Sequence, residues 1–168
     1  MKRQVFDESM AQHDFMKLEH QEVLHLCYLA RDEFLKRHKR TPLTWNLQDA
    51  QTFETICKEL EPRVITNAAE FKSLSKLVRQ FAFTCDGLGV LPPLAAFFGG
   101  YPSQEVIKAL TGKFMPTKQL FYTDVVEVLP DGMCLEEWNK LTNSESLTQF
   151  KQKHGIPELG DSTEQNTN

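Results

Sequence analysis

Four cysteines are the residues of this chain best suited to covalent chemistry: Cys27, Cys57, Cys85 and Cys134. A nucleophilic cysteine needs a lowered pKa, which a neighbouring cation or a helix N-terminus provides. Cys85 instead precedes Asp86 and lies at the end of a predicted helix, where negative charge raises the pKa of a thiol. No two cysteines form a C-x-x-C pair. We therefore predict reduced thiols and no catalytic residue.

A glycine pair suggests phosphate binding as a second chemistry. Gly87 and Gly89 begin like a dinucleotide loop, which needs a third glycine three residues later and a strand before it. Pro92 occupies that third position, and a predicted helix precedes the pair. We interpret the glycines as a helix stop followed by a tight turn, and predict no cofactor-binding residue.

Histidines near a cysteine suggest a metal site as a third chemistry. His13, His20 and His25 lie close to Cys27 in sequence. His20 and Cys27 share a helix face about two turns apart, which supplies at most two of the four ligands of structural zinc. We interpret these histidines as solvated side chains and predict no metal site.

The composition is typical of a folded protein of about one domain. Of the 168 residues, 40% are hydrophobic and 25% are charged, and the net charge is −4, so a general nucleic-acid partner is not expected. No apolar run approaches the ~20 residues of a membrane span, and no signal peptide is evident. We expect a cytoplasmic or nuclear protein with no membrane partner.

A short basic run occupies residues 37–40 at the end of a helical pattern. Cations there offset the negative end of the helix dipole, which is our interpretation of the run. A nuclear signal or a docking patch for an acidic partner are the alternatives.

Three amphipathic helical patterns position these residues. The first covers about 17–38, the second begins at the N-cap Asn46 and ends at Pro62, and the third begins at Asn67 and ends at Gly87. The predicted core stripes are Val23, Leu26, Cys27, Ala30 and Phe34; Leu47, Ala50, Phe53, Cys57 and Leu60; and Phe71, Leu74, Leu77, Val78, Phe81, Ala82 and Cys85.

The second half of the chain does not contain an obvious set of elements that could pack into a compact fold. A nearly continuous apolar segment, 88–100, leads into a fourth helical pattern that ends at Gly112, and it needs cover from this chain or a partner. Residues 120–129 predict a strand, yet a lone strand leaves its edges unsatisfied. A weak helix is predicted over 135–141 and disorder from Gly160. The pattern indicates part of a larger structure.

The most specific motif, AAFFGGYPSQEVIKALTGKFMP, occupies residues 95–116. It is similar to the Pro-x-x-Ala-Phe-x-Gly-Gly, Gln-Glu-Val-x-Lys-Ala and Gly-Lys-Phe-x-Pro elements of eukaryotic ubiquitin-activating enzymes. Weaker matches extend the resemblance over about 14–130. The motif residues to which it assigns structural roles are Pro93, Ala96, Phe97, Gly99, Gly100, Gln104, Glu105, Val106, Lys108, Gly112, Lys113, Phe114, Pro116, Tyr122 and Asp124.

The resemblance implies a mainly α fold, with a helical bundle followed by a partial ThiF/Rossmann-like helix-plus-strand segment. It divides the chain into an irregular lead-in (1–15), a helical bundle (16–87), the C-terminal part of an inactive adenylation domain (88–130) and a divergent, partly disordered tail (131–168). The family's Arg-Tyr-Asp motif is missing after residue 130.

The implied function is that of a non-catalytic structural segment, truncated or split from its enzyme. The whole enzyme uses ATP and Mg²⁺ to adenylate ubiquitin and captures it as a thioester; we expect no cofactor in this chain and no activity from it alone. The implied partner is an active adenylation domain, in cis or in trans, and indirectly ubiquitin or a ubiquitin-like protein. A free-standing helical interaction module is the alternative.

Pro102 departs from the family pattern because it falls inside the fourth helix. A proline there removes one backbone hydrogen bond and costs ~3 kcal/mol. We predict that the helix breaks or bends at Pro102, and that residues 88–98 are poorly covered in the isolated chain.

Overall fold

The computed structural model describes residues 18–65, 75–85, 91–117, 120–125 and 141–156. This part of the chain forms five helices and no strand: α1 (Leu18–His38), α2 (Leu47–Val64), α3 (Ser75–Thr84), α4 (Pro92–Thr111) and α5 (Ser144–Lys153). The expected mainly α fold is confirmed. The expected strand is wrong over 120–125, because no neighbouring strand is described there to form a ladder; residues 126–129 lie outside the described part.

Both predicted boundaries between α1 and α2 are confirmed. The α1 helix ends at His38, and Lys39 follows with a left-handed φ of 62° while its N–H donates to the carbonyl of Leu35 at 2.9 Å. The α2 helix begins after Asn46, whose Oδ1 accepts from the N–H of Asp49 at 3.0 Å. This bond satisfies one of the free donors of the first turn.

Asp49 also fixes the loop that joins α1 to α2. Its buried carboxylate accepts from both Nη atoms of Arg40, from Nη2 at 2.9 Å, and from the N–H of Leu43 at 2.9 Å. Burial opposes charge on the carboxyl, but these hydrogen bonds outweigh it and the pKa of Asp49 lies below its usual value. The loop is therefore held by a buried charged acceptor with several donors.

The core is shared by four helices, α1, α2, α3 and α5. Helices α1, α2 and α3 contact one another in all three pairs. The three predicted stripes face this core wherever they lie within the described residues, except for the half-buried Cys85; Phe71 and Leu74 lie outside the described residues. Ile56 and Phe83 are buried core residues that the predicted stripes did not include.

The α5 helix was not predicted, although it completes the core. Leu147 and Phe150 are buried, and the Phe150 ring lies 5.9 Å from that of Trp45. Asn143 and Ser146 form a capping box at the start of the helix. Two apolar positions in ten residues give too weak a period to indicate a helix. The helix predicted over 135–141 does not include Leu141, and the rest of that range lies outside the described residues.

Two prolines lie inside helices, contrary to prediction. The α2 helix continues past Pro62 to Val64, and α4 runs through Pro102 as one helix. Pro62 sits in the last turn, where a missing N–H costs a single bond. The Pro102 region is exposed, so the carbonyl of Phe98 is free to bind water. The predicted break at Pro102 is therefore wrong, and the alternative, a bend at Pro102, stays a prediction.

Candidate interaction surface

The α4 helix contains no buried residue, although it is one of the most apolar stretches of the chain. It begins with two prolines at its first positions and ends at Gly112, whose φ is 63°. This left-handed value favours glycine, and the N–H of Gly112 donates to the carbonyl of Lys108 at 3.0 Å. The poor covering predicted for 88–98 is confirmed over 91–98, where only Leu94 is half-buried.

One face of α4 is covered by the chain that follows the helix. The Glu105 carboxylate accepts from the N–H of Thr117 at 2.6 Å and from Lys108 Nζ at 2.7 Å. Tyr101 shares a hydrogen bond of 2.8 Å with the Thr117 hydroxyl, and its ring stacks on Phe121 at 4.0 Å between centroids. These contacts fold the segment after Gly112 back along the helix.

The opposite face of α4, here termed the outer face, is apolar and exposed. Helical spacing puts the following side chains on it: Ala95, Ala96, Gly99, Gly100, Ser103, Val106, Ile107 and Leu110. The residues in the first half of this face are small, and a Cβ added at Gly99 or Gly100 would meet no atom within 4 Å. Its second half is bulky, with Leu110 81% exposed. Phe114 and Met115 are exposed beyond the helix end.

The segment 120–125, here termed the strap, contacts α1 through two histidines. The Tyr122 hydroxyl lies 2.8 Å from His25 Nδ1, and the Asp124 carboxylate lies 2.9 Å from His20 Nδ1. Tyr122 also stacks on Tyr28, with 5.6 Å between ring centroids. The interpretation of the histidines as solvated side chains is wrong for this pair, since His25 is 5% exposed and the His20 side chain is 21% exposed. His13 lies outside the described residues.

Burial controls protonation at this contact. It lowers the pKa of His25 and raises the pKa of Tyr122 to about 12. The phenol is therefore neutral near pH 7 and shares a hydrogen bond with a histidine that favours its neutral form. No sequence signal could have indicated this pair, because its members lie 97 residues apart.

The structure distributes the family-motif residues over four places. Seven motif residues are exposed on α4: Pro93, Ala96, Phe97, Gly99, Gly100, Gln104 and Val106. Two residues of α4, Glu105 and Lys108, face the segment that follows the helix. The others lie after the helix (Gly112, Lys113, Phe114 and Pro116) or on the strap (Tyr122 and Asp124). The motif thus spans α4, its return segment and the strap that contacts α1.

The thiols of the described part lie in and beside the bundle core. Cys27 and Cys57 are fully buried and Cys85 is half-buried. Burial, together with a hydrogen bond to Cys57, raises the pKa of Cys27 well above its usual range. A buried, protonated thiol is a poor nucleophile. Gly87, Gly89 and Cys134 lie outside the described residues.

Two further arrangements bear on the candidate sites of the sequence. Within the described ranges, no three His, Cys, Asp or Glu side chains are grouped to hold a metal, and no helix is long and apolar enough to cross a membrane. The basic run forms ion pairs within the chain: Arg37 binds Glu33 and Glu59 at the surface, and Arg40 binds the buried Asp49. Those ion pairs favour the structural interpretation of the run.

Comparisons with known proteins agree on one family. Residues 2–61 match the ubiquitin-activating enzyme E1 four-helix bundle. The chain is 35% identical over 139 residues to ubiquitin-like modifier-activating enzyme 1 of Oryctolagus cuniculus, covering 82% of this chain and 12% of that protein. It is 40% identical over 117 residues to ubiquitin-activating enzyme E1 2 of Arabidopsis thaliana, covering 70% and 11%. The chain therefore spans only a small part of these relatives.

Proposed function

Since this chain is homologous to a segment of ubiquitin-activating enzymes that includes their four-helix bundle, we propose that it works as a non-catalytic structural segment of such an enzyme. In this proposal, residues 88–130 correspond to the end of an inactive, ThiF-like adenylation domain. The segment braces the active adenylation domain, which is supplied by the same polypeptide or by a second one. The proposed location is the cytoplasm or nucleus.

The outer face of α4 is the observation that carries this proposal. It combines exposed bulky side chains, Val106, Ile107 and Leu110, with a small-residue end that allows a partner to approach closely. An apolar surface of this kind marks an association site rather than a solvated helix face. The partner that fits it is an apolar surface of the remaining adenylation fold, because the family motif lies on the same helix.

The chemistry of the whole enzyme is assigned to the partner. Adenylation requires groups that stabilise the charge developing on the transferred phosphoryl group. The active adenylation domain would bind ATP and Mg²⁺ and receive ubiquitin or a ubiquitin-like protein. This chain would contribute positioning, with the bundle held by its own core.

ATP–pyrophosphate exchange in the presence of ubiquitin tests the proposal. The purified chain alone is expected to give background exchange. Exchange should appear when the chain is mixed with a polypeptide that carries the active adenylation domain of a related enzyme and lacks this segment. Exchange by the chain alone would overturn the non-catalytic assignment.

Two matched variants locate the contact. Ile107→Lys places a charge on the outer face of α4, and Leu43→Lys places the same charge at a half-exposed apolar site of the α1–α2 loop. Ile107→Lys should weaken binding of the adenylation polypeptide at least about tenfold, because a desolvated unpaired charge costs more than 1.4 kcal/mol. Leu43→Lys should leave binding unchanged. Equal effects would contradict docking through α4.

A free-standing interaction module is the second candidate, and the shared core of α1, α2, α3 and α5 favours it. These helices bury their apolar residues together without any buried contribution from α4. A bundle of this kind does not require an enzyme to fold. This alternative would be supported if the chain did not bind the adenylation polypeptide but bound another protein with the same affinity whether or not the adenylation polypeptide was present.

A further inference from the structure

The strap, residues 120–125, contacts two helices with successive side chains. Phe121 stacks on Tyr101 of α4 at 4.0 Å, while the next residue, Tyr122, contacts His25 and Tyr28 of α1. Asp124, two residues further on, also contacts α1 through His20. Alternation with a period of two is the geometry of an extended chain, whose neighbouring side chains point to opposite sides.

The α1 side of the strap is the more strongly anchored. Tyr122 combines a hydrogen bond with ring stacking, and the Asp124 pair is largely removed from solvent, with side-chain exposures of 21% for His20 and 10% for Asp124. Buried hydrogen bonds are costly to break because each partner is left without a substitute. The strap is therefore bound firmly to one side of the bundle.

The attachment of α4 to the rest of the chain depends on the strap, because α4 has no buried residue of its own. Its described polar and ring contacts include those to Thr117 and Phe121, which belong to the same return segment. Close helix–helix contacts join α1, α2 and α3. The strap is thus a described segment that touches both the bundle and α4.

We propose that the strap is a coupling device that sets the position of α4 relative to the bundle, with Tyr122 as its positioning residue. Release of Tyr122 from His25 would free α4 from the bundle. The strap would then decide how the outer face of α4 is presented. The inference rests on contacts within this chain and does not depend on an adenylation partner.

Distance measurement between the two bodies tests the coupling on the full chain. Spin labels carried by unnatural amino acids would replace Gln51 on α2 and Gln104 on α4, both exposed, and the buried cysteines would remain untouched. The unaltered chain is expected to give one narrow distance distribution. Tyr122→Phe removes only the hydroxyl, and the loss of one hydrogen bond of about 1 kcal/mol should raise the released fraction roughly fivefold.

Matched variants separate coupling from general destabilisation. Thr123→Ala changes an exposed strap residue and should leave the distribution narrow. A second label pair within the bundle, at Gln51 and Thr148, should show the same distance in every variant. His25→Leu combined with Tyr122→Phe should broaden the distribution no more than the larger single change, since both remove the same bond.

Two outcomes would overturn the proposal. One is a broad distance distribution in the unaltered chain; the other is a narrow one that survives both Tyr122→Ala and Asp124→Ala. If the distance between the labels at Gln51 and Thr148 broadened equally in these variants, the bundle core would have been lost instead of the coupling. That result would also contradict the proposal. The adenylation polypeptide is absent throughout, so the result is independent of the proposed docking.

Discussion

At the scale of single residues, the described structure places its charged and polar groups where they fix backbone geometry. Asp49 gathers Arg40 and the N–H of Leu43 at the α1–α2 loop. Trp45 takes a left-handed φ of 60°, and its N–H donates to the carbonyl of Phe83 on α3 at 3.1 Å. A non-glycine residue at this φ is held only where surrounding contacts determine it. These contacts make the loop a structural element of the bundle.

His25 gives the first prediction, a loss of stability in acid. Burial lowers its pKa in the folded chain, while an unfolded histidine titrates near pH ~6.5. The unfolded chain then binds the proton more readily, so the contribution of His25 is complete above that pH and is lost as pH falls through the folded pKa. The effect is measured by urea unfolding at a series of pH values from about 4.5 to about 8, which bracket the unfolded histidine pKa of ~6.5.

His25→Gln provides the comparison for that titration. It keeps a polar group of similar reach but cannot gain a proton in this range. The decline of unfolding free energy between neutral and mildly acidic pH should be smaller in this variant than in the unaltered chain. An identical decline would assign the acid sensitivity to other groups.

At the scale of elements, α4 shows how an exposed helix tolerates a proline. Pro102 donates no N–H to the carbonyl of Phe98, yet Ser103 Oγ donates to the carbonyl of Gly99 at 2.8 Å in the same turn. The helix therefore loses one backbone bond without leaving a buried acceptor behind. The helix therefore runs through Pro102 without support from core packing and despite a residue that disfavours helix interiors.

Pro102→Ala is expected to strengthen α4 locally. Restoring the N–H and removing the ring clash should stabilise the helix by up to about 3 kcal/mol. Amide hydrogen exchange of residues 98–106 should slow, while exchange in α1 and α2 stays unchanged because α4 contributes no core residue. Ser103→Ala serves as the control on the exposed side; unaltered exchange in Pro102→Ala would show that the proline carries no cost here.

The α5 helix contrasts with α4: it has few apolar residues, but the core requires them. Phe150→Ala should lower the free energy of unfolding by about 3–5 kcal/mol, since a buried aromatic ring is lost and a cavity remains. Gln149→Ala, its exposed neighbour, should change it by less than about 0.5 kcal/mol. Chemical denaturation measures both; similar small effects would place α5 outside the cooperative core.

At the scale of the whole molecule, a closed bundle core contrasts with the open surface of α4. Among the described residues, the buried ones all belong to α1, α2, α3, α5 and the segments beside them. The outer face of α4 together with Phe114 and Met115 presents a line of large apolar side chains. Contiguous exposed apolar patches favour self-association unless a partner covers them.

Leu110→Lys should therefore reduce both dye binding and self-association of the isolated chain. Leu110 is 81% exposed, so the change breaks the patch without creating a cavity. Fluorescence of a hydrophobic dye and sedimentation at rising concentration provide the measurements. Gln104→Lys adds the same charge beside the patch and should have little effect; equal reductions would assign the change to net charge.

Local signals in the sequence determined the part of the bundle formed by α1, α2 and α3. The core stripes on α1, α2 and the described part of α3, the N-cap Asn46 and the end of α1 at His38 were all predicted, because periodicity and capping act over a few residues. The family resemblance also came from a contiguous motif.

Only the tertiary structure decided the rest. His20 and Asp124 meet across 104 residues, and α5 joins the core from a tail with little periodicity. Residues 120–125 read as a strand from their composition, yet in the described part they lie between α1 and α4 and pair through side chains. A β-forming sequence needs a neighbouring strand for its backbone, and long-range packing determines whether one is present.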